Sequence, residues 1–212
     1  TAQRTVTRTL KSMHRVEDAP KDVFAHLRVR SGLLQSPAVD RVSFLHRTFE
    51  EYLAAKALVE EESFPQLAKN AHDDQWHEVV VMAAGHASPA QREELVRGLL
   101  ERSGEVKKHR DRLLLVAFAC LETSPQLARA LREEVESRVR EILPPRTEDH
   151  VRALAMVGES VLPLLAECEP RNANQSRHTI EAAGLIGGPV SVPIITKAFR
   201  KYTARNHYTL SE

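Results

Sequence analysis

The feature that most constrains this fold is an internal repeat near the C-terminal end. Ala153-x-x-Met156-x-Gly158-x-x-x-Leu162-Pro163-Leu164-Leu165 aligns without a gap, at an offset of 30 residues, with Ala183-x-x-Ile186-x-Gly188-x-x-x-Val192-Pro193-Ile194-Ile195. Each copy reads as helix, glycine turn, then helix with an early proline, because glycine suits a left-handed helix end and proline suits a first turn. A helix pair of this length cannot bury its apolar face alone, so such units stack into an α-solenoid. Apolar helices around Ala83 and Ala117 fit the same rhythm more weakly.

No convincing strand occurs from about Ser63 onward. Trp76, Val79, Val80 and Ala83 share a helical face, and Leu113 to Leu121 is an almost continuous apolar run that should be buried on most sides. Ser88-Pro89-Ala90-Gln91 has the form of a capping box. Ser124-Pro125 is expected to open a further helix with Leu127, Leu131 and Val135 on one face.

The first 60 residues follow another plan. Val6, Leu10 and Met13 have helical spacing, as do Val23, Phe24 and Leu27 after Pro20, and Gly32 stops that second helix. Leu33 to Gln35 and Arg41 to Leu45 read as two short strands joined by a five-residue loop, Ser36 to Asp40. An amphipathic helix follows. The expected fold is mainly α: a partial winged helix with a short β-hairpin over 1–60, then HEAT-like α-solenoid repeats over 61–212.

Thirty basic and twenty-nine acidic side chains leave a formal net charge of +1, which gives no general attraction to nucleic acid or a membrane surface. No apolar run approaches the roughly 18 residues of a membrane span. Cys120 and Cys168 lie in apolar helical surroundings and are expected to be buried, reduced and inert, which fits a cytoplasmic protein. The chain opens at Thr1 without an initiator methionine and is read as a piece of something longer.

Few residues suggest chemistry. His46 stands at the junction of the second strand and the next helix. It is either a packed first-turn histidine or a contact for an anion beside helix N–H groups. His72, Asp73, Asp74, His77 and Glu78 contain metal-ligand types, but His72 and His77 are five apart and do not share a face; Asp73 or Asp74 reads as a helix cap. Lys107-Lys108-His109-Arg110 is a basic cluster that reads as a solvated loop and helix start, or as a contact for an acidic partner. Ser160 and Ser191 sit in repeat turns without a positioned base, and the neighbours Glu50-Glu51 and Glu93-Glu94 point in different directions along helices. No glycine-rich phosphate loop occurs. These observations give no catalytic residue and no metal site for this segment.

Arg30-Ser31-Gly32-Leu33-Leu34, followed by Phe44-Leu45-His46-Arg47-Thr48-Phe49-Glu50-Glu51-Tyr52-Leu53-Ala54-Ala55, resembles the winged-helix end of NACHT-type NTPases, members of the STAND class of signalling ATPases. The wording is similar to the bacterial branch, with bacterial defence as the expected setting. The family form F-x-H-x-[ST]-F-Q-E-[YF]-x-A-A is met at Phe44, His46, Thr48, Phe49, Glu51, Tyr52, Ala54 and Ala55, and departed from at Glu50, where glutamine is usual. The resemblance implies that the NTPase core lies upstream and is the partner in cis, and that His46 touches a phosphate of ADP in the resting state. It implies that the helical arm senses a protein or other ligand, or clamps the off state, and that exchange to ATP releases a homo-oligomer. ADP or ATP then belongs to the parent protein, an ATP-hydrolysing enzyme; this segment alone is expected to bind neither and to catalyse nothing.

Two other readings remain open. The chain could be a helical-repeat scaffold that binds a protein without nucleotide switching. It could also be a winged-helix DNA-binding regulator, although the candidate recognition helix carries Asp22 beside Lys21, Arg28 and Arg30, which disfavours nucleic acid.

Overall fold

The computed structural model describes residues 2–10, 13, 18–38 and 41–207. The chain divides into two compact units, Thr1–Ala54 and Ala55–Glu212.

In the first unit, α1 (Ala2–Leu10) packs on α2 (Pro20–Val29), which in turn packs on β1 (Leu34–Ala38). Antiparallel pairing joins β1 to β2 (Arg41–Phe44), with Leu34 opposite Phe44, Gln35 opposite Ser43 and Ala38 opposite Arg41. Pro20 occupies the first turn of α2, as expected. Met13 lies beyond the end of α1 rather than on it, and is exposed.

The turn from α2 into β1 is made by Ser31 and Gly32. Ser31 Oγ donates to the Leu27 carbonyl at 2.6 Å and accepts the Leu33 amide at 3.1 Å, while Gly32 takes φ +66°, a left-handed value suited to glycine. The expected five-residue loop is shorter, because Ser36, Pro37 and Ala38 belong to β1. A register irregularity between Gln35 and Ala38 accommodates the proline, which cannot donate to a ladder. Val39 and Asp40 lie outside the described residues. Helix α3 (Arg47–Glu60) follows β2.

The second unit is all helical among its described residues: α4 (Phe64–Asn70), α5 (His77–His86), α6 (Pro89–Glu105), α7 (Arg110–Glu122), α8 (Arg129–Ile142), α9 (Glu148–Val157), α10 (Leu162–Glu167), α11 (Ala173–Ile186) and α12 (Ser191–His207). Short 3-10 turns precede α5 (Asp74–Trp76), α7 (Lys107–His109) and α10 (Gly158–Val161). Helices α5, α7, α9 and α11 stack in one row, and their partners α6, α8, α10 and α12 follow each in turn. This is the solenoid arrangement. All nine residues from Leu113 to Leu121 are buried, so α7 is apolar on every side because it has neighbours on every side: α5, α6, α8 and α9.

The capping box at α6 is present in full. Ser88 Oγ accepts the Gln91 amide at 3.4 Å, and Gln91 Oε1 accepts the Ser88 amide at 3.0 Å. The corresponding expectation at Ser124-Pro125 is corrected by the structure. Those residues form a turn and α8 starts at Arg129. Arg132 holds the turn, its Nη2 donating to the carbonyls of Leu121 at 3.2 Å and Ser124 at 3.0 Å. Arg92 of α6 acts likewise on the end of α5, with Nε donating to Ala84 O at 2.7 Å and Nη2 to Ala87 O at 2.9 Å. Arg92 thereby satisfies a carbonyl that a helix end leaves open, whereas the Leu121 and Ser124 carbonyls held by Arg132 also accept the Ser124 and Leu127 amides.

The repeat itself is slipped by one residue. Gly158 and Gly187 terminate α9 and α11 in nearly the same conformation, φ 81°, ψ −152° and φ 76°, ψ −160°. Buried Ala153 and Leu154 then correspond to buried Ala182 and Ala183, a shift of 29 residues, whereas Leu164 corresponds to Ile194 at 30. The extra residue is Gly188, also left-handed at φ +78°.

Candidate functional site

His46 is exposed and stands immediately before α3. Its place is fixed from both sides. The Leu45 amide donates to the Leu33 carbonyl at 2.8 Å, fastening the strand end to the Ser31–Gly32 turn. On the helix side, the His46 carbonyl accepts the Phe49 amide at 3.1 Å. The imidazole faces the Phe49 ring at a centroid distance of 6.0 Å and an interplanar angle of 52°. First-turn N–H groups of a helix lack intrahelical acceptors, so an exposed imidazole at this point can join them on an anion.

Helix α3 sorts its residues into two faces. Glu51, Ala55 and Val59 are buried at four-residue spacing. Arg47 Nε donates to Glu51 Oε1 at 2.7 Å, so the nearly buried carboxylate has a charged partner one turn earlier. On the other face Phe49, Tyr52 and Leu53 are 45%, 42% and 41% exposed, and Leu45 is 47% exposed. Four large apolar side chains beside one histidine form a stripe of the kind that marks a contact surface. The sequence motif marked Phe49 and Tyr52 as family positions, but an amphipathic pattern alone would have placed them inside. Glu50, the position that departs from the family form, is exposed.

Residues 3–58 match the family model of the winged helix-turn-helix domain C-terminal to NACHT. This stretch is a NACHT-associated winged helix. Comparison with curated proteins and with solved structures gives no match. The NACHT-associated winged helix thus carries its motif in two parts: Glu51 and Ala55 turned inward, His46, Phe49 and Tyr52 outward. Arg28, on the helix considered for DNA recognition, donates from Nε to Ser36 Oγ at 2.9 Å and lies 5.7 Å from the Phe24 ring centre. That arginine braces the hairpin of the winged helix.

The remaining candidates fall into structural places. Asp73 Oδ1 accepts the Gln75 amide at 2.9 Å, His72 Nδ1 lies 3.0 Å from the Lys69 carbonyl, and His77 is buried, with burial holding its imidazole below the ordinary pKa. Among the described residues no group of three or more His, Cys, Asp or Glu side chains is placed to hold a metal ion, and no helix is long and apolar enough to cross a membrane. Ser160 lies in the 3-10 turn before α10, and Ser191 Oγ donates to the Gly188 carbonyl at 2.8 Å at the start of α12. Glu93 pairs with Arg97 at 2.8 Å. Both cysteines are free thiols; burial pushes Cys120 up to about 12 and Cys168 up to about 11. Cys168 is half-buried rather than fully enclosed.

One constellation escaped sequence reasoning. His150 on α9, Asp111 and Arg112 on α7, and Asp74 before α5 come together although they lie some 40 residues apart in pairs. Arg112 Nη1 pairs with Asp74, and Asp111 Oδ2 lies 3.7 Å from His150 Nδ1. Nothing in the local sequence announces such a meeting; it follows from the stacking of α7 on α9.

Proposed function

We propose that this chain is a regulatory segment of a NACHT-type signalling ATPase acting in the bacterial cytoplasm, with defence as its setting. The winged helix docks through Leu45, Phe49, Tyr52 and Leu53 on the NTPase domain that precedes it, and His46 holds a phosphate of ADP in the resting state. The observation that carries this reading is the NACHT-associated winged helix over residues 3–58, with its motif histidine exposed beside an apolar stripe.

In free-energy terms the phosphate contact biases one of two packed arrangements. A first-turn imidazole and the helix N–H groups beside it can share one phosphate, so the contact depends on which phosphates are bound. The helical arm is the sensor or clamp: a ligand on it, together with exchange to ATP, frees the winged helix and allows homo-oligomerisation. ATP hydrolysis belongs to the parent protein, and this segment contributes no catalytic group. Exposed Leu185, Val190, Val192 and Phe199 on the last helix pair favour a protein as the arm's ligand, and equally support a simpler reading as a protein-binding scaffold.

The test uses the full-length protein. Nucleotide released on denaturation is quantified for the wild type and for His46→Ala, alongside basal signalling. Reduced ADP retention or raised basal signalling is expected. Unchanged occupancy and signalling remove His46 from the site, and an upstream sequence without a phosphate-loop motif removes the switch and leaves the scaffold.

A further inference from the structure

A cleft of about 530 Å³ opens where three stacked helices begin: the Asp74 turn before α5, the Lys107–His109 turn leading into α7, and the start of α9. Its charges do not cancel. Arg112 is paired with Asp74, and Arg152 with Asp149 at 3.0 Å. Lys107 and Lys108 are exposed and make no ion pair among the described residues. The lining sets Lys107, Lys108, Arg112 and Arg152 against Asp74, Asp111 and Asp149, a formal net charge of +1, with both lysines at the rim.

The floor is His150. Its side chain is 2% exposed, and neither ring nitrogen has a hydrogen-bond partner. Its nearest carboxylate oxygen, on Asp111, stands at 3.7 Å, beyond hydrogen-bond range. A neutral imidazole so placed carries an unused donor and an unused acceptor, and burying both without a partner is costly. Burial lowers its affinity for a proton, Asp111 opposing and Arg146 and His178 reinforcing the effect. The rings of His72 and His109, with centroids 4.5 Å apart and planes tilted by 36°, line one side.

We propose that this cleft binds a small phosphorylated molecule, its dianionic phosphate held by Lys107 and Lys108 and its polar body hydrogen-bonded to His150. Two ammonium groups lining one cleft suit a phosphate better than a singly charged carboxylate. The volume is that of a small-molecule site. The proposal concerns the arm alone and stands whether or not His46 contacts a nucleotide.

The 212-residue chain is titrated with pyrophosphate and with glucose 6-phosphate at constant ionic strength, chloride making up the balance. Calorimetry follows affinity, and the ring ¹⁵N resonances of His150 follow the floor. Saturable binding with a shift of the His150 resonances is expected, weakened about tenfold or more in Lys107→Ala/Lys108→Ala. Those lysines are exposed, so the variant keeps the fold. Absence of saturable binding by both probes overturns the proposal, as does equal binding by the double variant. Binding of a single-stranded oligonucleotide that is lost in the double variant, with His150 unmoved by either small phosphate, would replace the cleft by a surface phosphate contact.

Discussion

The imidazole of His46 lies 6.0 Å from the ring of Phe49, and the two residues are also tied through the backbone by the bond from the Phe49 amide to the His46 carbonyl. The side chain that would meet a phosphate and the side chain that would meet a docking partner are therefore set by one turn. Phe49→Ala should leave the stability of the segment within about 0.5 kcal/mol, since exposed side chains carry little of it. In the full-length protein it should lower ADP retention as His46→Ala does. A thermal melt and nucleotide analysis check both, and unchanged retention would separate Phe49 from the site.

Acid should weaken the arm through His77 and His150. Burial lowers both pKa values below 6.5 in the folded chain, so the unfolded chain binds protons first as pH falls. Stability from these groups is complete above 6.5 and declines as pH drops below it towards the folded values. Urea midpoints at pH 7.5 and 5.5 should show the loss, and His77→Gln/His150→Gln should reduce it. A double variant with the full acid loss would assign the effect to other groups.

How much of this was legible beforehand depends on distance along the chain. The winged-helix turn, the motif and the apolar run of α7 are local patterns, and each is where its spacing put it. Ser124-Pro125 misled because those residues close a turn, the Leu127 amide donating to the Ser124 carbonyl at 3.1 Å, and α8 starts only at Arg129. The ungapped alignment at 30 concealed Gly188, because a second glycine after Gly187 keeps the proline and aliphatic positions in step. His150 and Asp111 were invisible as a pair, since only stacking brings α7 and α9 together. The exposure of Phe49 and Leu53 could not be read from residue types that more often fill a core.

Gly158 offers a sharper measure of the repeat. At φ 81° and ψ −152° it occupies a region almost closed to other residues, so Gly158→Ala should cost about 1–3 kcal/mol. At Gly188 a Cβ would also come 2.8 Å from Glu159 Oε1, the end of a flexible side chain that can turn away. Glu159→Ala should therefore recover only a small part of the loss from Gly188→Ala. A double-mutant cycle by chemical denaturation reads the coupling; full recovery would mean that contact, not backbone conformation, sets the requirement.

Removing the Arg92 guanidinium should be costly. Arg92→Met leaves the Ala84 and Ala87 carbonyls without their donor in a buried place, an expected loss of about 2–3 kcal/mol. Arg92→Lys should not restore it, because one ammonium cannot reproduce the fork. A lysine variant as stable as the wild type would show that charge alone suffices.

Thiol chemistry gives a simple control. Cys120 and Cys168, with thiols pushed up to about 12 and about 11, should resist a thiol reagent at pH 8 in the native chain and react after unfolding. Rapid native labelling of Cys120 would contradict its burial.

Arg92 and Arg132 close upon main-chain carbonyls, which every residue type possesses, so the clasp demands nothing of the side chains it fastens. Arg92 stands four residues after Ser88 and Arg132 eight after Ser124, yet each reaches the end of the helix before it. A turn tethered in this way can lengthen by about a helical turn, or change its wording entirely, without coming loose. Such tolerance lets units of one architecture drift apart in length and spelling, and it accounts for an array whose periodicity is plain in the backbone and faint in the letters.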